Sequence, residues 1–169
     1  TYNGAICAIN KSSGVIDSCI NEASCTYTAN YSSGIAGQNA GKVVNCINRG
    51  SITGAFMMNG AITCGGVITN CLNVGQLDGK ASNLSYAGKI ENSYFLDTTS
   101  SPNASRFFGT SKTEAELKDP AFAATLGEAF AADPNGGFPV LKWELAGSSE
   151  KPHEHSFSAW AADDDKTHS

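Results

Sequence analysis

The sequence has few charged residues and no long runs of Leu, Glu or Lys. Only 16% of its 169 residues are charged, whereas ordinary globular domains contain about 25%. The basic residues form no stripe, so the electrostatic signature of nucleic-acid binding is missing. The longest apolar run is far shorter than the roughly 20 residues that span a bilayer, so we expect no membrane insertion.

Sequence motifs of common enzymes are also absent. The chain contains no GxSxG, HExxH or P-loop, and no GxGxxG within a βαβ unit. The three histidines, His153, His155 and His168, all lie in the last 17 residues, so a Cys–His nucleophile pair within the rest of the chain is unsupported. These histidines are only weak candidates for metal binding. The sequence therefore predicts no catalytic residues, no cofactor and no enzymatic activity.

Six cysteines are present, and none of them belongs to a CxxC motif. A dense disulfide framework usually belongs to a smaller domain than this one. We therefore expect most of the cysteines to be buried thiols that pack as small apolar side chains. A disulfide between neighbouring repeats stays open as an alternative.

What the sequence does contain is a phrase repeated along the chain. "GVIDSCINEASCTY" begins at residue 14, "GKVVNCINRGSITG" at 41 and "GGVITNCLNVGQLDG" at 65. Aligning these phrases places Cys19, Cys46 and Cys71 in one column, with spacings of 27 and 25 residues. A fourth copy, "GKIENSYFLD", places Ser93 in that column 22 residues later. Repeats of this length are typical of stacked arrays.

Each repeat contains short alternating stretches separated by Gly and Asn, which are strand and turn signals. The sequence therefore predicts an all-β solenoid, a short right-handed parallel β-helix of about four coils. An aliphatic column would fill its interior, and asparagines at the corners would adopt left-handed backbone and hydrogen-bond along the axis. The predicted columns are Ile16, Val43, Ile68 and Ile90; Cys19, Cys46, Cys71 and Ser93; and Asn45, Asn70 and Asn92.

Two carboxylates share a predicted outward column. Asp17 and Glu91 stand at its ends, with Val44 and Thr69 between them. This separation does not suggest the carboxylate pair of a glycosidase. A polysaccharide-lyase-like β-helix is a third functional hypothesis, although about four coils is short for that activity.

A helical pattern follows the repeats in "SKTEAELKDPAFAATLGEAF". Thr113 with Glu116 forms a capping-box pattern, and Asp119 before Pro120 indicates a second helix start. A short strand is predicted over residues 140–144. We expect this helix and strand to cover the open end of the solenoid, because exposed strand edges would otherwise pair with other chains.

The segment "SGIAGQNAGKVVNCINRGSITG" resembles the GLUG-type repeats of bacterial cell-surface and secreted proteins, common in Firmicutes and Bacteroidetes. The typical form of those repeats is close to "GGIVGYN-SG-I-NCYN-GSVSG". The resemblance covers about residues 1–100, and "TSKTEAELKDPAFAATLGEAFAADPNGGFPVLKWE" is similar to the terminator of such arrays in clostridial surface proteins. The tail "HEHSFSAWAADDDKTHS" resembles the start of a His- and Trp-containing repeat from the same kind of protein. The resemblance implies a cell-surface or extracellular location.

These observations give a domain plan and two functional hypotheses. Residues 1–100 are the β-helix repeats, 101–146 the C-terminal cap, and 147–169 a linker and truncated tail. The first hypothesis is a non-catalytic stalk or adhesin-like segment whose partner is a host glycan or extracellular protein. The alternative is an accessory domain of a larger secreted protease or glycosidase whose catalytic residues lie elsewhere. No signal peptide is visible and the chain opens within a repeat, so we expect a piece of a larger protein with neighbouring domains.

Overall fold

The computed structural model describes residues 2–54, 58–103 and 108–147. The strands in these residues, in chain order, are β1 (Asn3–Gly4), β2 (Cys7–Asn10), β3 (Val15–Asp17), β4 (Ile20–Asn21), β5 (Cys25–Tyr27), β6 (Ser32–Ser33), β7 (Ala36–Asn39), β8 (Lys42–Val44), β9 (Ile47–Asn48), β10 (Ile52–Gly54), β11 (Val67–Thr69), β12 (Leu72–Asn73), β13 (Leu77–Gly79), β14 (Lys89–Glu91), β15 (Tyr94–Leu96), β16 (Thr110–Lys112), β17 (Phe130–Ala131) and β18 (Val140–Leu141). The helices are α1 (Glu114–Lys118), α2 (Pro120–Leu126) and α3 (Lys142–Gly147), and a 3₁₀ turn spans Asp97–Thr99.

Strands from successive repeats stack in parallel to form the sides of a solenoid. Sheet A has the order β3-β8-β11-β14, sheet B the order β4-β9-β12-β15-β16, and sheet C the order β5-β10-β13. A fourth side contains the parallel pairs β1-β6 and β2-β7, which single bridges extend through Gly60, Thr63, Ser82 and Ser85. The predicted parallel β-solenoid of about four coils is confirmed.

The register of sheet A places equivalent residues of each repeat opposite one another. Ile16 pairs with Val43, Val43 with Ile68, and Ile68 with Ile90. Val43 and Ile68 are completely buried. Burying each such side chain contributes about 1.5–3 kcal/mol, so this aliphatic column stabilises the stacking of the coils.

The apolar residues form an interior core and a second core on the outside of sheet B. The interior core contains the aliphatic column together with Cys46 and Cys71. The outer core begins with Ile47 and Leu72, which directly follow those cysteines and so point to the opposite face of the sheet. A solenoid side that is apolar on both faces needs an additional covering layer.

That layer is the segment from α1 to α3, which we call the strap (residues 113–147). Its buried residues in the outer core are Leu117, Phe122, Leu126, Phe130 and Leu141. The strap therefore covers the side of the rod, and the expectation that it would close the open end is wrong. The physical reason is that sheet B carries an apolar column facing outward, and burying that column requires a lateral partner.

The details of the strap agree with the sequence at its start and differ at its end. The capping box of Thr113 and Glu116 is present, and Asp119 caps α2 with Pro120 at its first turn. The predicted strand over 140–144 is too long, because the strand ends at Leu141 and helix α3 begins at Lys142. The predicted end of the array near residue 100 is also exceeded, since β16 adds another parallel rung to sheet B.

Candidate functional site

The outer corner between sheets A and B carries a line of left-handed residues. Ser18, Asn45, Asn70 and Asn92 have φ values of 53°, 53°, 55° and 40°. The left-handed conformation is costly for most side chains and mildest for Asn and Gly, which explains the choice of asparagine in the predicted column. The side chains also form an amide ladder, in which Asn92 Nδ2 donates to Asn70 Oδ1 at 2.8 Å and Asn70 Nδ2 to Asn45 Oδ1 at 3.1 Å.

This outer ladder is anchored at both of its ends. Asn45 Nδ2 donates to Asp17 Oδ1 at 2.8 Å in the first coil. Asn92 Nδ2 donates to the carbonyl of Thr125 in the strap at 2.7 Å. One line of polar side chains therefore connects the first coil to the last coil and to the strap.

A second amide ladder runs through the buried corner between sheets B and C. Asn21 Nδ2 donates to Asn48 Oδ1 at 2.8 Å, and Asn48 Nδ2 donates to Asn73 Oδ1 at 2.7 Å. The same asparagine amides donate to backbone carbonyls of their own turns, as Asn48 does to Gly50. A Cβ on Gly75 would collide with the carbonyl oxygen of Gly50, so glycine is required for this close stacking. Phe95 ends the column and joins the interior core.

The cysteine column lies inside the solenoid and contains free thiols. All six cysteines lie in described residues and none forms a disulfide; Cys46, Cys64 and Cys71 are buried. A hydrogen bond with Cys71 and burial raise the pKa of Cys46, and burial together with Cys46 raises the pKa of Cys19. Because the thiolate is the nucleophilic form, these side chains are suited to packing.

Ser93 takes the place of cysteine in the fourth coil and uses its hydroxyl for two hydrogen bonds. It accepts from the backbone N–H of Cys71 at 3.0 Å and donates to the carbonyl of Glu91 at 2.7 Å. The smaller, polar residue is therefore satisfied at this position.

The outward carboxylates of sheet A lie in one column, as the alignment predicted. Asp17 pairs with Val44, Val44 with Thr69, and Thr69 with Glu91. Three rungs separate the two carboxylates, which corresponds to about 14 Å at 4.8 Å per rung. Glycosidase carboxyl groups lie about 5–9.5 Å apart, so this spacing is too wide for a direct or inverting pair. Near Glu91, hydrogen bonding and the charge of Lys89 lower the pKa of the carboxyl group.

A polar latch joins the strap to the first two coils. Arg49 donates two hydrogen bonds to Glu144 of α3, at 2.6 and 3.0 Å, and a third to Glu22 at 3.2 Å. Burial alone would lower the pKa of Arg49, but its hydrogen bonds to Glu144 outweigh burial and raise it. Trp143 is 54% exposed and its indole nitrogen donates to the carbonyl of Ser18 at 3.1 Å. The end of the chain's described part is therefore tied to its beginning.

A cavity of about 390 Å³ lies at the opposite end of the rod, next to the last coil. Its walls combine apolar and polar groups: Gly88, Ile90, Asn92, Ser93, Tyr94, Phe108, Gly109 and Thr110. Asn92 and Ser93 already have hydrogen-bond partners within the protein. The wall is thus mostly backbone, aromatic surface and satisfied polar groups.

Sequence reasoning missed the latch and the buried amide of Asn83. Arg49 aligns with Glu22 and Val74, so no column marked it, and its partner lies 95 residues away. Asn83 is completely buried, and within the described residues neither of its amide atoms has a hydrogen-bond partner. No repeat signal in the sequence distinguishes Asn83 from the satisfied asparagines.

Two further features concern metals and membranes. In residues 2–54, 58–103 and 108–147, no three His, Cys, Asp or Glu side chains are grouped to hold a metal ion. His153, His155 and His168 lie outside the described residues. Among the described helices, none has the length and apolar character needed to cross a membrane.

Comparison with protein-family models, curated proteins and solved structures gives no match for this chain. The fold and the geometry above therefore carry the functional reasoning.

Proposed function

We propose that this β-solenoid is a non-catalytic, rigid segment of a bacterial cell-surface or secreted protein, acting as a stalk or an adhesin-like binding segment. The observation that carries the proposal is the latch between Arg49 and Glu144. Together with the amide ladders, it binds the last element of the chain to the first coils. Such a closed set of contacts resists stepwise peeling, which is what a load-bearing spacer requires.

Stacked repeats in general are held only by contacts with their immediate neighbours. Here the strap adds contacts that cross several coils at once, because its residues pack on Ile47 and Leu72 and bond to Asn92 and Arg49. This arrangement supports a rod that extends or fails as one unit.

The exposed face of sheet A is the surface that we propose for binding. Its outward residues alternate between apolar and charged side chains along two columns: Val15, Lys42, Val67 and Lys89, and Asp17, Val44, Thr69 and Glu91. Mixed faces of this kind suit extended polar partners, and we propose a host glycan or an extracellular protein.

The mechanical part of the proposal is tested by pulling single molecules between handles placed at the two ends of the chain. We expect one cooperative unfolding event per molecule. A series of small, low-force steps, each releasing about 25 residues, would show coil-by-coil peeling and contradict the proposal.

The binding part is tested on arrays of glycans and extracellular matrix proteins. We expect binding that weakens in a Lys42→Glu, Lys89→Glu double variant, whereas Lys118→Glu on the strap serves as a matched charge control. Turnover of any polysaccharide or peptide substrate by the purified chain would refute the non-catalytic assignment.

A further inference from the structure

The two ends of the rod are closed to different degrees. The column of Ile6, Ile35, Ile62 and Leu84 runs the length of the solenoid through backbone contacts between successive coils. Ile6 in the first coil is 47% exposed, whereas Leu84 in the last coil is completely buried. Equivalent positions therefore face solvent at one end and protein at the other.

The last coil is covered by the segment that follows sheet B. Ser101 Oγ donates to the carbonyl of Gly79 at 2.7 Å, and Gln76 Nε2 donates to the carbonyl of Thr99 at 3.3 Å. Thr99 and Ser101 are themselves buried. Gly109 packs so closely on Leu84 that a Cβ at this position would collide with the leucine side chain. These contacts, and not the helical strap, close this end of the rod.

The first coil has no comparable cover within the described residues. Strands β3, β4 and β5 are the edge strands of sheets A, B and C. Residues in the interior columns are also more exposed here, since Ile16 and Cys25 are only partly buried whereas their partners Val43 and Ile52 are completely buried. Edge strands present unpaired backbone groups that readily accept another strand.

We propose that two copies of this chain associate through their first coils, end to end, to form a closed dimer. The surface concerned, which we call the open end, comprises Ile6, Ile16, Cys25 and the edges of β3, β4 and β5. It continues the stacking interface already present between coils 1 and 2, so a further layer of strands extends each ladder by the same spacing. Because the other end is covered, the second copy supplies its own open end as the partner surface.

Symmetry then defines the geometry and the size of the assembly. Contact between identical surfaces is isologous, so it closes with two copies and leaves no free open end. Turning one rod to face the other reverses the direction in which its coil is traced. The paired edges therefore run antiparallel, in contrast to the parallel ladders within each chain.

The proposal is tested by sedimentation velocity of the whole chain over a wide concentration range. We expect a monomer–dimer equilibrium without larger species. Ile6→Lys should raise the dissociation constant by on the order of tenfold or more, since a charge at a strand edge blocks pairing. The matched control is Ile9→Lys, because Ile9 is 48% exposed but lies in register with Gln38 on the side of the rod.

Hydrogen exchange provides a second measurement that does not depend on the lysine variant. Amides of β3, β4 and β5 should exchange more slowly in the dimer than in dilute monomer, while the amides of β14 should not change. A monomer at every concentration would overturn the proposal, as would species that grow beyond the dimer. Equal weakening by Ile6→Lys and Ile9→Lys would also overturn it, because the contact would then not be at the open end.

Discussion

At the scale of single residues, asparagine has three distinct roles in this protein. At the outer corner, Asn45 adopts a φ of 53° that most residues avoid. In the buried corner, Asn48 is completely buried and hydrogen-bonds on both sides of its coil. Asn83 is equally buried but lacks partners for both amide atoms within the described residues. The same side chain is therefore stabilising in one place and costly in another.

This contrast predicts opposite effects for two alanine substitutions. Asn48→Ala removes the centre of the buried ladder and should cost about 2–4 kcal/mol of unfolding free energy. Asn83→Ala removes an unsatisfied buried amide and should be neutral or stabilise by up to about 2 kcal/mol. Chemical denaturation of both variants checks this. A loss for Asn83→Ala as large as that for Asn48→Ala would show that the amide does have a partner.

A buried thiol gives the protein a dependence on alkaline pH. Burial raises the pKa of Cys64 from 9.0 to about 11, although its hydrogen bond with Ser33 acts in the opposite direction. Between these two pH values the unfolded chain releases a proton that the folded chain keeps. Stability is therefore full below pH 9 and falls toward pH 11, by about 1.4 kcal/mol per unit. Cys46 shifts in the same direction.

The test compares the melting temperature of the wild type and of Cys64→Ala from pH 7 to pH 11. We expect Cys64→Ala to be less stable at pH 7, because it loses buried volume, and to lose less stability as the pH rises. Parallel curves for the two proteins over this range would contradict the assignment.

At the scale of elements, the strap converts one side of the solenoid into an interior layer. Its helices are short, with five, seven and six residues, and isolated helices of this length are unstable in water. Their stability therefore comes from packing on Ile47 and Leu72 and from the latch at Arg49. The strap and sheet B depend on each other.

The two carboxylates of the latch should contribute unequally. Glu144 is 20% exposed and binds Arg49 through two oxygens, whereas Glu22 is 73% exposed and binds through one. Glu144→Gln should cost about 1–3 kcal/mol, because it leaves a half-buried guanidinium without its main partner. Glu22→Gln is the matched control and should cost less than about 0.5 kcal/mol. Thermal unfolding at low and high salt checks both values, and equal effects would contradict the latch.

At the scale of the whole molecule, the strap changes how a stack of coils unfolds. A plain repeat array frays from its ends, because each coil is held only by its neighbours. In this protein the strap contacts both the first coils and the last ones, through Trp143 and Asn92 respectively. The coils are therefore expected to unfold together.

Detaching the strap should restore the fraying of the first coil. Leu126 is completely buried in the outer core, while Ala124 on the same helix is exposed. Leu126→Asp should speed amide exchange in β3 to β5 well before β11 and β12 open. Ala124→Asp carries the same charge on the exposed face of α2 and should leave the exchange pattern unchanged. Uniform faster exchange in every coil of Leu126→Asp would show that the strap does not protect the first coil selectively.

The parts of the structure that repeat were accessible from the sequence, and those that occur once were not. The columns of Ile16 and Asn45 recur at nearly constant spacing, and stacking forces such equivalents together. The capping box at Thr113 depends only on local residues, so it too was predictable. The latch between Arg49 and Glu144 occurs once and joins residues far apart, and no local pattern specifies such a pair.

The amino-acid sequence by itself determined the solenoid, because every coil must bury the same face against its neighbours and so repeats the same residues. It also determined the left-handed corners, since few residues other than asparagine accept that backbone conformation. Only the tertiary structure decided where the strap lies and which end of the rod stays open. Those outcomes depend on competition between apolar surfaces, the outward column of sheet B against the exposed coil ends, and such competition is settled by packing in three dimensions.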